Sequence, residues 1–397
     1  MKSNMALFLI VLGAFVTGTA ELVVGGILKM ISDDLNVSIG AAGQLITAYS
    51  LAFAIGTPIV VSFTSRVPRK TLTIASLAVF IAGSLVAAVS TGYAVLLLSR
   101  AILGVSSGVF AVVAFSAAAK LVPPEQTGRA VGMVSFGVSF STVVGVPLGV
   151  LVAGWWSWQA IFLLLAALSL VVLAAMIRLL PAIEGDANVP FKKQFAVLRN
   201  PVILSGLFLS FGFSTSSSLM NTYMVPFVQN VLGLKPAYLS VLLLVIGAFG
   251  LAGSRAGGVG VDRWGTRRAV SFGMLASAAS LLLLPALTNA LLLGVGLIAV
   301  WTFAMSLAIP AILTYFIQQA PQSSNLVLGL NTSVLHLGVA VGAAGGGAIA
   351  DAAGTVLYHP LAAGLIALAG FGAGLVSFSL GRRRGGHGLK AKQEGAI

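Results

Sequence analysis

Cysteine is absent from this sequence, and charge is scarce. Without cysteine there is no disulfide, no thiolate metal site and no cysteine nucleophile. Only three histidines occur, His336, His359 and His387, and no H-E-x-x-H string accompanies them, so the common zinc-peptidase chemistry is excluded. No G-x-x-x-x-G-K-[ST] loop is present to cradle a nucleotide phosphate, so ATP-driven work by this chain is not expected. Charged residues make up 8% of the 397 positions against 58% hydrophobic ones, and the mean hydropathy is +1.06. A soluble domain carries roughly a quarter charged residues, so this chain cannot cover a water-facing globule.

Apolar stretches of about 20 residues recur along nearly the whole sequence, each long enough to cross a bilayer core as a helix. The 47 glycines suit helices that must approach one another closely in lipid. The composition therefore describes an all-α, multi-pass membrane protein. Hydropathy and breakers place twelve spans near 5–29, 41–63, 71–90, 95–119, 130–153 and 158–180, then 202–228, 238–256, 269–287, 290–316, 325–350 and 357–380. Between the two sets runs the polar stretch PAIEGDANVPFKKQFAVLRNP, residues 181–201, which reads as a linker. The expected organisation is a first six-helix bundle at 1–180, the linker, a second bundle at 202–380 and a basic tail at 381–397.

Lysine and arginine set the expected orientation, because they favour the cytoplasmic side. With both termini inside, the outer segments hold only Lys29 and Lys235, and Arg100 lies within a span; every other basic residue falls on an inner segment. The net charge of +13 is thus accounted for by topology rather than by nucleic-acid binding. The N-terminus resembles a secretory signal, with Lys2, an apolar run and TGTA ending at Ala20. The apolar run continues to Leu28, however, which makes it a first span. The glycine-rich basic tail is expected to be disordered at the anionic inner leaflet.

Both halves carry a basic loop between their second and third spans, SRVPRK at 65–70 and GGVGVDRWGTRR at 257–268. Six-plus-six repeats are an arrangement of secondary transporters, whose site lies near mid-membrane between the halves. The second loop sets Gly258, Asp262, Arg263, Gly265 and Arg267 in a G-x-x-x-D-R-x-G-x-R string, and span four reads SRAILGVSSG, with Arg100, Gly104 and Gly108. Span five carries GVPLG at 145–149, containing Gly145, Pro147 and Gly149. These strings resemble motifs of the major facilitator superfamily and of its twelve-span drug:proton antiporters. ELVVGGILKMISDDLNVSIGAAGQLITAY at 21–49 and LNTSVLHLGVAVGAAGGGAIADAAGTV at 330–356 are similar to bacterial purine base and nucleoside efflux pumps. Sugar-efflux and chloramphenicol-resistance transporters share much of that pattern. The chain departs from these patterns at Ser65 and Pro68 in the first loop, at Gln159 after span five, and at His336, where the purine pumps have glutamine.

The resemblance implies two pseudo-symmetric six-helix bundles in a bacterial inner membrane, acting as a monomer without a cofactor or metal. It implies export of a small solute by proton antiport, with purine-like solutes favoured over sugars or drugs. A proton-independent facilitator or a symporter is the alternative; an intramembrane enzyme or a sensor is disfavoured, since neither catalytic motif nor output domain is present. It also implies a gating role for Asp262, Arg263 and Arg267, and a helix-packing role for Gly104, Gly108, Gly145, Pro147 and Gly149.

Within the spans, Glu21 is the only ionisable side chain between Met5 and Leu28. A charge in hydrocarbon costs several kcal/mol on insertion scales, so such groups face a cavity or a partner. At 1.5 Å per residue Glu21 lies roughly 24 Å into its span, in the expected outer half. It either loads and releases a proton, or anchors helix packing or binds substrate. Arg100, about five residues into span four, shares that depth and either sets the charge beside Glu21 or reaches back to headgroups. Polar and aromatic pocket candidates are Tyr49, Asn221, Tyr223, Trp301, Met305, Asn331 and His336, each of which also suits a packing role.

Overall fold

A computed structural model describes residues 2–123, 126–185 and 196–394; Lys192 and Lys193 of the expected linker, and the side chains of the tail beyond Arg382, lie outside what is described. Among the described residues, twelve helices are long and apolar enough to cross a membrane. They are α1 (Asn4–Asp34), α2 (Ile39–Phe63), α3 (Arg69–Ala88), α4 (Tyr93–Lys120), α5 (Thr127–Trp155) and α6 (Trp158–Leu179), followed by α7 (Pro201–Thr222), α8 (Pro236–Trp264), α9 (Thr266–Leu287), α10 (Leu291–Gln319), α11 (Leu326–Ala353) and α12 (His359–Arg382). Among the described residues there is no strand, and each spanning helix pairs its backbone groups within its own segment, as suits hydrocarbon. Large apolar side chains such as Phe63, Phe208, Val241 and Leu292 remain exposed on the helices, a surface suited to lipid.

Three local features depart from uninterrupted helices. The seventh span, expected to run through 228, stops at Thr222 and resumes as a short helix, Met224–Asn230. Pro226 has no N–H to offer the Thr222 carbonyl, and the break falls at Tyr223, with φ −106° and ψ 11°. In α5 the backbone widens to a π turn over Ser141–Gly145, closed by Val146 N–H donating to the Ser141 carbonyl. Pro147 follows at once and again lacks a donor. Finally, the last helix continues past its apolar span to Glu394. Extending an existing helix avoids the nucleation step that an isolated tail would need.

Contacts divide the chain into two compact units. The first comprises Met1–Val189 with Ser218–Ala248 and Val339–His359; the second comprises Pro190–Ser217, Phe249–Gly338 and Pro360–Ile397. The division cuts α7, α8 and α11 within their spans. In the first unit, the far ends of these helices are bound to α1, α2 and α5 by close approaches. Thr47 Oγ1 donates to the Ala340 carbonyl at 3.3 Å, Gly347 lies against the Gly40 carbonyl, and Gly247 lies against the Val143 backbone. In the second unit, Phe213, Met274, Leu307, Ile312, Tyr315, Phe316 and Phe378 form one apolar core. There Gly212 and Gly370 meet backbone to backbone, and Tyr315, Ser377 and the Val202 carbonyl form a hydrogen-bonded chain.

The glycines of α4 show how sequence sets packing in the first unit. A side chain at Gly104 would collide with the Tyr49 carbonyl oxygen, and one at Gly108 with the Thr57 hydroxyl. With the Arg100–Leu45 contact, separated by 55 residues, these pairs hold α2 and α4 parallel in one register. On α5, Gly145 faces Thr19 and Gly149 faces Val23, so the GVPLG stretch admits α1 at close range. Replacing Gly104 with valine is expected to lower the unfolding temperature in detergent, the effect of about 1–3 kcal/mol of overpacking. Gly154→Ala, where a side chain meets nothing within 4 Å, is expected to leave it unchanged. Equal unfolding temperatures for the two variants would contradict this packing.

Candidate functional site

Arg100 is fully buried and its guanidinium is the centre of the first unit's polar interior. Its Nη1 donates to the Ala20 carbonyl at 2.8 Å, its Nε to the Leu45 carbonyl at 3.4 Å and its Nη2 to the Glu21 backbone carbonyl at 3.5 Å. The carbon of the guanidinium sits 4.5 Å from the centre of the Tyr49 ring, a cation–π contact. One side chain thereby ties α1, α2 and α4 together. Arginine suits this task because its planar fork presents five donors in fixed directions and remains charged.

The Glu21 side chain is half-buried, and its carboxyl interacts with the Arg100 charge and with the Tyr49 hydroxyl. Three of the residues singled out from the sequence are thus brought together: Glu21 from α1, Tyr49 from α2 and Arg100 from α4. Tyr49 serves as the shelf beneath Arg100 as well as a neighbour of the carboxyl. Its hydroxyl is buried without a hydrogen bond of ordinary geometry, yet it lies close enough to the Glu21 carboxyl and the Ser107 hydroxyl to interact with both. Sequence reasoning passed over Ser107. Its signal was the seven-residue spacing from Arg100, which puts both on one helix face.

The other aromatic and polar candidates fall elsewhere. Tyr223 is fully buried in the first unit, with its hydroxyl donating to the Ala343 carbonyl at 2.8 Å and its ring 4.7 Å from that of His359. Both ring nitrogens of His359 lie against backbone carbonyls, those of Gly346 at 2.9 Å and Val356 at 3.1 Å. His359's role has no signature in the sequence, because its partners are backbone groups. Asn221, two positions before Tyr223, is exposed.

In the second unit Trp301 and Asn331 are buried, and neither the indole N–H nor either end of the amide has a hydrogen-bond partner. Met305 and His336 are half-buried. Ser214 Oγ donates to the Leu335 carbonyl at 2.5 Å across a separation of 121 residues, and Ser218 repeats that spacing with Val339. This parallel register puts Asn331 level with Ser210, whose hydroxyl is also buried and unpartnered.

Asp262 and Arg263 are exposed at the end of α8 and form no ion pair with a described residue, while Arg267 is half-buried. The turn between α8 and α9 uses Gly265 at φ +79°, a conformation that side chains resist. Thr266 Oγ1 then donates to Gln318 Oε1 at 3.0 Å, fixing the turn to the end of α10. Among the described residues, no group of three metal-ligating side chains comes together.

The family model described as Major Facilitator Superfamily matches residues 10–343. The MFS-type transporter YbcL of Bacillus subtilis is 31% identical over 351 residues, covering 88% of this chain and 90% of the relative. The inner membrane transport protein YdhP of Escherichia coli is 28% identical, covering 92% of this chain and 94% of the relative. The chloramphenicol resistance protein of Streptomyces lividans is 29% identical, covering 85% and 86%. Among solved structures, a bacterial homologue of the lysosomal transporter Spinster superposes with a TM-score of 0.78 at 14% identity, covering 96% of this chain and 97% of that one. A D-xylose–proton symporter superposes with a TM-score of 0.74 at 16% identity, covering 93% and 97%.

Replacing Arg100 with lysine keeps a charge but cannot reach three carbonyls and a ring face at once. The variant is expected to lose about 3 kcal/mol or more of stability, read as a fall in unfolding temperature in detergent. An unfolding temperature equal to that of the unaltered protein would contradict the bridging role.

Proposed function

Because the chain belongs to the Major Facilitator Superfamily, we propose that it is a secondary active exporter that moves a small organic solute outward as protons move inward. It is a multi-pass protein of the bacterial inner membrane, and its relatives are transporters rather than enzymes. The observation that carries the proton-coupling reading is the convergence of Glu21, Arg100 and Tyr49 in the interior of the first unit. Desolvation favours a neutral carboxyl and a nearby guanidinium favours an ionised one. A change in water access between two conformations therefore changes whether the carboxyl holds its proton. Coupling needs no more than that difference, provided the two states also differ in affinity for the solute.

The orientation, with both termini in the cytoplasm, rests on the lysine and arginine bias. The mechanical units in this reading are the six-helix bundles at 1–180 and 202–380, which alternate access as monomers, with Asp262, Arg263 and Arg267 as the gate. On the solute side, Asn331 and Trp301 offer one acceptor and several donors without a charge, which favours a neutral polar heterocycle such as a purine base or nucleoside. Sugars and chloramphenicol, the antibiotic in the Streptomyces relative's name, are the other solutes in scope.

A second reading keeps the same fold without antiport, as a facilitator or symporter in which Glu21 binds solute or fixes helices. The two separate in liposomes holding an internal pH dye, with adenine, guanosine, inosine, arabinose and chloramphenicol supplied in turn. Antiport predicts solute-dependent proton flux that Glu21→Gln abolishes. Solute movement without proton flux in the unaltered protein would contradict it.

A further inference from the structure

In the α-helices of this protein, hydroxyl side chains mostly turn back onto their own backbone. Thr17, Thr19, Thr64, Thr73, Ser76, Ser99 and Ser106 each donate to a carbonyl three or four residues earlier, the ordinary way for such groups to be satisfied. Thr57 and Ser107 do not. Both are almost fully buried, at 4% and 3% exposure, as is Tyr49 at 1%, and none of the three hydroxyls makes a hydrogen bond of ordinary geometry. Buried hydroxyls are normally paired, so each such group calls for an explanation.

All three belong to the two helices of the α2–α4 seam, Tyr49 and Thr57 to α2 and Ser107 to α4. Tyr49 is beside the Glu21 carboxyl and beside Ser107. Gly108 follows Ser107 in the chain and presses against the Thr57 hydroxyl, which occupies the space a side chain would fill. From Tyr49 to Thr57 is two helical turns, an advance of about 12 Å along α2. The set therefore starts at the carboxyl and extends toward the end of α2 that leads into the α2–α3 loop. Ser50, Ser84 and Ser169 are also unpartnered in this unit; what distinguishes the set is that it begins at Glu21.

We propose that Tyr49, Ser107 and Thr57 form a hydroxyl relay that conducts the Glu21 proton along the α2–α4 seam, with water filling any step longer than a hydrogen bond. The inference rests on the proton-coupling reading above. In one transfer the neutral Glu21 carboxyl gives its proton to the Tyr49 oxygen as the Tyr49 proton passes to Ser107. The Ser107 proton passes to Thr57, and the Thr57 proton to water at the far end. Each hydroxyl gains one proton and loses one, and rotation of the O–H groups resets the relay. The products are a Glu21 carboxylate, with Arg100 beside it, and a hydronium ion at the end of the seam. Gly108 leaves room for the Thr57 hydroxyl, and Arg100 steadies the charge left behind.

The test follows the Glu21 carboxyl directly, with the proton itself as probe. The protein in liposomes is given a proton jump by photolysis of a caged acid, and infrared absorption records the carboxyl band lost in Glu21→Gln. Tyr49→Phe and Thr57→Val are expected to slow that band by on the order of tenfold or more, while Thr57→Ser, which keeps the hydroxyl, restores it. A band that responds at the unaltered rate in both hydroxyl-deleting variants would overturn the relay and leave proton coupling standing. Failure of Thr57→Ser to restore a rate lost in Thr57→Val would also overturn it, since packing would then be the cause. If no carboxyl band is lost in Glu21→Gln, Glu21 does not titrate, and the relay and the antiport reading fall together.

Discussion

A guanidinium placed in the interior of a membrane protein must find every one of its acceptors within the protein, and Arg100 finds them on the backbones of its neighbours. The carbonyls of Ala20, Glu21 and Leu45 and the face of Tyr49 converge on it from α1 and α2. That requirement fixes where α1 stands against α4, and so where the Glu21 carboxyl stands. Nothing else available in hydrocarbon supplies comparable solvation, and an unsatisfied buried charge is far more costly than the bonds that hold it. The glycines of α4 act in the same direction. They bring α2 close enough for the Arg100 fork to reach a carbonyl, and they set Tyr49 against Gly104 and Thr57 against Gly108.

A second constraint operates where α7, α8 and α11 end within the first unit. Here the contacts are small residues and single polar groups set against backbone: Gly40, Gly43, Gly346 and Gly347, the Tyr223 hydroxyl and the His359 ring. Such contacts are short and numerous but bury little apolar area each. The core around Phe213, Phe316 and Phe378 in the second unit is instead built from large apolar side chains.

The sequence disclosed much of this, in ways that follow from the physics. The twelve spans were legible because hydrocarbon demands about 20 apolar residues for each crossing, and the helices fall where the apolar runs lie. Glu21 and Arg100 were legible because charge in such runs is conspicuous. The break at Tyr223 and the π turn before Pro147 were not, although Pro226 and Pro147 marked the neighbourhoods, because a proline signals a missing donor without saying how the chain absorbs it. Arg100's partners were illegible for a deeper reason: they are backbone carbonyls, which every residue carries. The same holds for His359. Ser107 and Thr57 look like any other membrane hydroxyls until the structure shows that they do not turn back onto their own helices.

The central claim is that a proton gradient and a solute gradient exchange free energy through this protein. The most direct test loads liposomes with an acidic lumen, places them in neutral medium containing adenine, guanosine, inosine, arabinose and chloramphenicol, and measures the internal concentration of each with time. The account predicts that one solute class accumulates above its external concentration as protons leave, and that dissipating the pH gradient with an ionophore releases it. Entry that stops at equal concentrations on both sides, with the pH gradient intact, would contradict it.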